Sequence, residues 1–167
     1  MPPFVFCGID PGITGAIAFY RPKDGALMIY DMPTRPRANG RREVCPNVTA
    51  AYLSKFFPRY RGICVIEKVA AMTGREDSAS SFQFGRSFGI CLGALAGVNI
   101  SALEVRPAVW KGKMNLTRNK RDSLELACKT FPRHKKYFTR VKDNGRAEAA
   151  LLAFFGQEIW DLELDEE

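Results

Sequence analysis

The sequence predicts an α/β fold: a five-stranded mixed sheet flanked by helices, in the order βββαβαβαα. Three observations predict it. The first third of the chain holds three short apolar runs separated by turn residues. From residue 48 onward, stretches with helical spacing alternate with β-branched apolar runs. Finally, Asp10 and Glu67 each end such a run, and Glu148 opens an apolar helix. Strand ends and helix starts on one sheet edge are where acids from distant sequence positions converge.

The elements follow in order. PFVFCGI is almost wholly apolar and runs into Asp10, after which Pro11-Gly12 turns the chain. GAIAFY and ALMIYD form the next two strands, and Asp24-Gly25 between them is a hairpin signal. Residues 33–47 are rich in Pro, Arg, Gly and Asn without periodicity, which predicts a basic loop. Val48, Tyr52, Leu53, Phe56 and Phe57 repeat at helical spacing, with Asn47 as cap and Pro58 as stop. GICVIE is a buried strand ending on Glu67, and AAMTGREDSASS is a loop. A helix is predicted from about Ser80 to Ala96, with Gly85, Gly89 and Gly93 at four-residue steps. Each glycine costs a helix roughly 1 kcal/mol relative to alanine, so the bare stripe implies close approach of another helix or of the sheet. SALEV is the fifth strand. A basic region leads to Thr117, the expected cap of a helix with Leu124, Cys128 and Phe131, ended by Pro132. RHKKYFTRVKDNG reads as a basic loop, and the last helix runs from about Arg146 to Trp160.

The chain of 167 residues fits one domain over residues 1–160, with an acidic tail at 161–167. No apolar run is long enough to span a membrane, and the start has no basic region of the kind a secretory signal carries. Five cysteines, with no CxxC pair, read as small buried thiols of a reducing compartment. The expected location is therefore the cytoplasm of a bacterium or phage-infected host, or an organelle nucleoid. Net charge is +7, and between Arg106 and Lys142 there are 12 Lys or Arg residues against Asp122 and Glu125 alone. Such a body suits a phosphate backbone. A single histidine, His134, excludes a histidine triad or a zinc site of several histidines and reads as a loop residue. Clustered carboxylates are stabilised at neutral pH by a divalent cation. Acids and surplus cations together point to a metal site acting on a polyanion.

Several blocks resemble the RuvC-type Holliday junction resolvases of the ribonuclease H-like superfamily, over nearly the whole chain. FCGIDPGITGAIAFY is similar to the family's opening strand-turn-strand, CVIEKV to its fourth strand, and SFQFGRSFGICLGAL to the glycine-spaced helix that follows. VRPAVWKGKMNLT resembles the segment before the penultimate helix. KDNGRAEAALLAFFG resembles the closing motif of phage-encoded and plant chloroplast members. The resemblance implies a ribonuclease H-like fold and a homodimer that resolves four-way DNA junctions by paired, symmetric phosphodiester hydrolysis. Two Mg²⁺ ions, for which Mn²⁺ substitutes, would be held by Asp10, Glu67, Glu148 and either Asp143 or Asn144. Typical bacterial members have an aspartate where Glu148 stands, and a gapless match through GRAE to the chloroplast-type members puts the neutral Asn144 in the fourth ligand's place. They also have a phenylalanine where this chain has Ala70, which leaves Met72 or Phe82 to probe the junction centre.

Lys111, Lys113, Arg118, Lys120 and Arg121 are candidates for phosphate contacts, and Arg35, Arg37, Arg41 and Arg42 for a second duplex arm. Gly85, Gly89 and Gly93 are the candidate dimer interface. Plainer roles compete for the acids: an Asx turn for Asp10, a surface pair with Lys68 for Glu67, and a helix-dipole contact for Glu148. Trp110 is read as a core residue ahead of a base-stacking one. Two other functions remain open at this level, a junction-binding protein that cuts weakly because of Asn144 and a same-fold nuclease that processes RNA.

Overall fold

The computed structural model describes residues 4–57, 61–68 and 78–165. Strands β1 (Phe4–Asp10), β2 (Ala16–Arg21) and β3 (Ala26–Asp31) form the expected antiparallel meander. Strands β4 (Thr34–Pro36) and β5 (Arg42–Val44) pair with each other, helix α1 (Pro46–Phe56) follows, and β6 (Arg61–Glu67) lies parallel to β1. The remaining elements are α2 (Ser78–Gly97), β7 (Ala102–Val105), α3 (Pro107–Lys113), α4 (Lys120–Thr130) and α5 (Asn144–Asp165), with two 3-10 turns at Pro132–Tyr137, which holds His134, and Val141–Asp143 where a loop was expected. The main sheet is ordered β3-β2-β1-β6-β7. Among the described residues, no helix is long and apolar enough to cross a membrane.

Side-chain alternation along the strands decides what each face of the sheet carries. Val5, Cys7 and Ile9 of β1, Ile17 and Phe19 of β2, and Cys64 and Ile66 of β6 point into one core, shared with Leu53 and Phe56 of α1 and Cys91 and Leu95 of α2. Ala16, Ala18 and Val65 face the opposite core, built with Leu151, Leu152 and Phe155 of α5 and with Trp110 and Leu124. Gly8 and Asp10, and Val65 and Glu67, share this second face by parity. The face nearest α5 is lined with small residues. A β-carbon at Gly8 would overlap the Ala149 carbonyl and the Ala153 amide, and one at Gly145 would overlap the Thr14 carbonyl. Glycine at these two positions lets α5 lie directly on β1 and start against the β1–β2 turn.

Several local expectations need correction. The expected loop at 33–47 contains the β4–β5 ribbon. Helix α1 begins at Pro46 with Cys45 as its cap residue, in place of Asn47, because Pro fits a first helical turn. The basic region after β7 contains α3, which also starts with a proline. Helix α4 is capped by Asn119, whose side chain accepts from the Arg121 amide at 3.1 Å, while the Thr117 hydroxyl bonds the Asp122 carboxylate. All five cysteines are free, and Cys7, Cys64 and Cys91 are buried. The glycine stripe on α2 has no neighbour within the described chain. A β-carbon at Gly85, Gly89 or Gly93 would meet nothing within 4 Å.

Candidate active site

Asp10 ends β1, Glu67 ends β6 on the adjoining strand, and Glu148 sits one turn into α5, which crosses β1. Each acid is tied down differently. Asp10 Oδ1 accepts from the Gly12 amide at 3.2 Å, so it does close the Asx turn. Glu67 does not pair with Lys68, which bonds Glu104 at 3.3 Å. Its Oε2 instead accepts from the indole Nε1 of Trp110 at 2.8 Å. Glu148 is buried, and its Oε1 accepts from Lys111 Nζ at 2.8 Å and Ser123 Oγ at 3.3 Å. It is therefore a side chain of the interior of the site and not a helix-dipole contact.

The acids feel one another. Burial pushes the Asp10 carboxyl up to about 7, with Glu67 and Glu148 adding to the shift and Lys111 opposing it. Burial also raises Glu67, Glu148 adds to that rise, and Trp110 and Lys111 counter it. Lys111 is the cation common to all three carboxylates. A hard divalent ion suits such donors, since carboxylate oxygens are its preferred ligands and its charge would relieve their repulsion. As the side chains stand, with Lys111 gripping Glu148, no three acids, histidines or cysteines among the described residues form a group that could hold a metal ion.

The two candidates for a fourth ligand part company. Asp143 is 2% exposed and held by Arg140, through Nη2 at 2.7 Å, and by Arg146 at 3.5 Å. The Arg140 side chain pulls its carboxyl below the usual range. Asn144, by contrast, reaches the site, and its Nδ2 lies 3.2 Å from the Lys120 carbonyl and 3.5 Å from Glu148 Oε1.

The cations surround this centre unequally. Lys111 is inside it, and Lys113, Arg118, Lys120 and Arg121 are exposed on α3, α4 and the turn between them. Arg35, Arg37, Arg41 and Arg42 are exposed on the β4–β5 ribbon. A buried acid the sequence reading missed organises that ribbon. Glu43 takes Arg35 Nε at 2.8 Å, Arg37 Nε at 3.5 Å and the Arg86 guanidinium of α2. Phe82 is 72% exposed at the start of α2, and Met72 lies outside the described residues. Trp110 is fully buried and also bonded to a site acid, a role that its apolar surroundings in sequence did not signal.

Neither a protein-family model nor a curated protein matches the chain. Solved structures do. A Thermus thermophilus RuvC in complex with a Holliday junction substrate superposes with a TM-score of 0.62, covering 96% of each chain at 14% identity. The fold is that of RuvC. A second Thermus thermophilus RuvC structure gives a TM-score of 0.57 at 18% identity, over 93% of this chain and 96% of the other. The five-stranded mixed sheet and its helices are the ribonuclease H-like arrangement expected from sequence, and the RuvC likeness extends nearly from end to end.

Proposed function

We propose that this chain is a divalent-metal-dependent endonuclease that cuts four-way DNA junctions as a two-fold dimer. The observation that carries the reading is the convergence of Asp10, Glu67 and Glu148, from two adjoining strands and the helix across them, at one electrostatically coupled centre. The RuvC fold and the surrounding cations support it. Asp10, Glu67 and Glu148 would hold Mg²⁺, or Mn²⁺ in its place. Bound there, the metal supplies a more nucleophilic water and charge stabilisation for the leaving 3′ oxygen. Lys111, released from Glu148, would meet the phosphate whose negative charge replaces the carboxylate's. The exposed Lys113, Arg118, Lys120 and Arg121 of α3, α4 and their turn, and the exposed arginines of the β4–β5 ribbon, would contact the backbones of the duplex arms. Symmetric nicks need two centres, and the open stripe of Gly85, Gly89 and Gly93 offers a helix face that a second copy can approach closely.

Asn144 favours a second reading, in which the chain binds junctions but cuts slowly, because a neutral amide stands beside Glu148 where a carboxylate would add ligand charge. One experiment separates the two. Asp10→Asn and Glu67→Gln should each abolish cleavage of a four-way junction in Mg²⁺ while leaving junction binding intact. Cutting at the parental rate by either variant would remove these acids from the mechanism. A parent that binds tightly and cuts slowly would establish the second reading.

A further inference from the structure

We propose that Trp110 is a positioning residue whose indole N–H fixes the Glu67 carboxylate for the ion that the three acids would share. The inference rests on the metal-dependent reading above. Trp110 is the buried residue of the short helix α3, at 0% exposure. A side chain that only filled this core could be any large apolar one. Trp110 instead spends its single donor, at 2.8 Å, on Glu67 Oε2, 43 residues away in sequence. Glutamate has three rotatable side-chain bonds, and Glu67 stands half-buried at a strand end. The indole bond selects one orientation and leaves Oε1 outside it.

The next residue completes the arrangement. Lys111 donates to Glu148 at 2.8 Å. Consecutive residues on a helix point about 100° apart, so one short helix reaches the acid of β6 with one side chain and the acid of α5 with the next. Helix α3 is short, with Pro107 in its first turn and Asn115 at a φ of 54° just beyond its end. Groups that orient a metal-binding side chain typically change metal affinity by about 10- to 100-fold when removed.

The test is calorimetric titration of Mn²⁺ into the junction-free protein near neutral pH. Trp110→Phe keeps an aromatic ring and removes the N–H, and should weaken Mn²⁺ binding by about tenfold with junction affinity in EDTA unchanged. Because phenylalanine leaves part of the indole space empty, a second chain carries 3-benzothienylalanine at position 110 in a Trp160→Phe background, which replaces N–H by sulfur at nearly constant shape. The same loss in that chain, relative to its tryptophan counterpart, supports the proposal. Undiminished Mn²⁺ binding by the benzothienyl chain overturns it, whatever the phenylalanine variant does. A parent that binds Mn²⁺ but cuts no junction overturns the proposed function and leaves this ratio to decide the role of Trp110. A parent that binds no Mn²⁺ overturns both.

Discussion

Asp10→Asn should make the metal-free protein more stable, and the gain should grow with pH. Asp10 has a carboxyl raised from 3.8 to about 7 in the folded chain. Between those values the folded state keeps a proton that the unfolded state releases, so stability falls as pH rises. The penalty is small below pH 4 and complete above about pH 7. At about 1.4 kcal/mol per pH unit, the gap sets a ceiling of about 4 kcal/mol. Asp10 is partly open to solvent, so about half of that, roughly 2 kcal/mol, is the expected size. Asparagine removes the charge but retains an oxygen for the Gly12 amide, which preserves the turn. Urea unfolding in EDTA at pH 4 and pH 8 reads the difference. Added Mg²⁺ should then stabilise the parent, by about 2.7 kcal/mol at a hundred times its Kd, and barely affect the variant. A variant whose advantage is the same at both pH values, or which is less stable at pH 8, would refute the coupled-acid site.

Lys111→Met should leave Glu148 without its cation and lower stability in EDTA by about 2 kcal/mol, given a pair that is mostly but not wholly buried; Mg²⁺ should restore most of the loss in the same unfolding assay. Gly8→Ala should cost about 3 kcal/mol, because the added methyl meets the backbone of α5, and thermal unfolding would show it. Asn144→Asp should raise Mg²⁺ affinity by about tenfold through added ligand charge, in single-turnover cleavage across a Mg²⁺ titration. Asp143→Asn should instead lower the melting temperature through its lost Arg140 contacts and leave the Mg²⁺ requirement alone.

The sheet was legible because its strands are apolar runs bounded by turn residues, and because Asp24-Gly25 marks the β2–β3 hairpin plainly. Asp10, Glu67 and Glu148 were legible for the same reason, as acids that terminate or open such runs. The β4–β5 ribbon was not, since each strand has three residues and carries Pro or Arg where alternation would show. Of the three cations that hold its buried Glu43, Arg86 of α2 lies 43 residues away and leaves no local trace. Helix α3 was missed because seven residues give too little periodicity, although Arg106-Pro107 offered a start signal. Trp110 read correctly as core, but its bond to Glu67 depends on how β6 and β7 align, with Glu67 paired to Val105. The choice between Asp143 and Asn144 turned on side-chain partners that adjacent positions in sequence cannot distinguish.

The proposed metal-dependent junction nuclease is put to the test by cleavage of end-labelled four-way, three-way and linear DNA by the purified chain, in Mg²⁺ and in EDTA. Symmetric paired nicks are expected in the four-way junction in Mg²⁺ and none in EDTA, with linear duplex left intact. Equal cutting of linear and four-way DNA, or cutting that persists in EDTA, would contradict it.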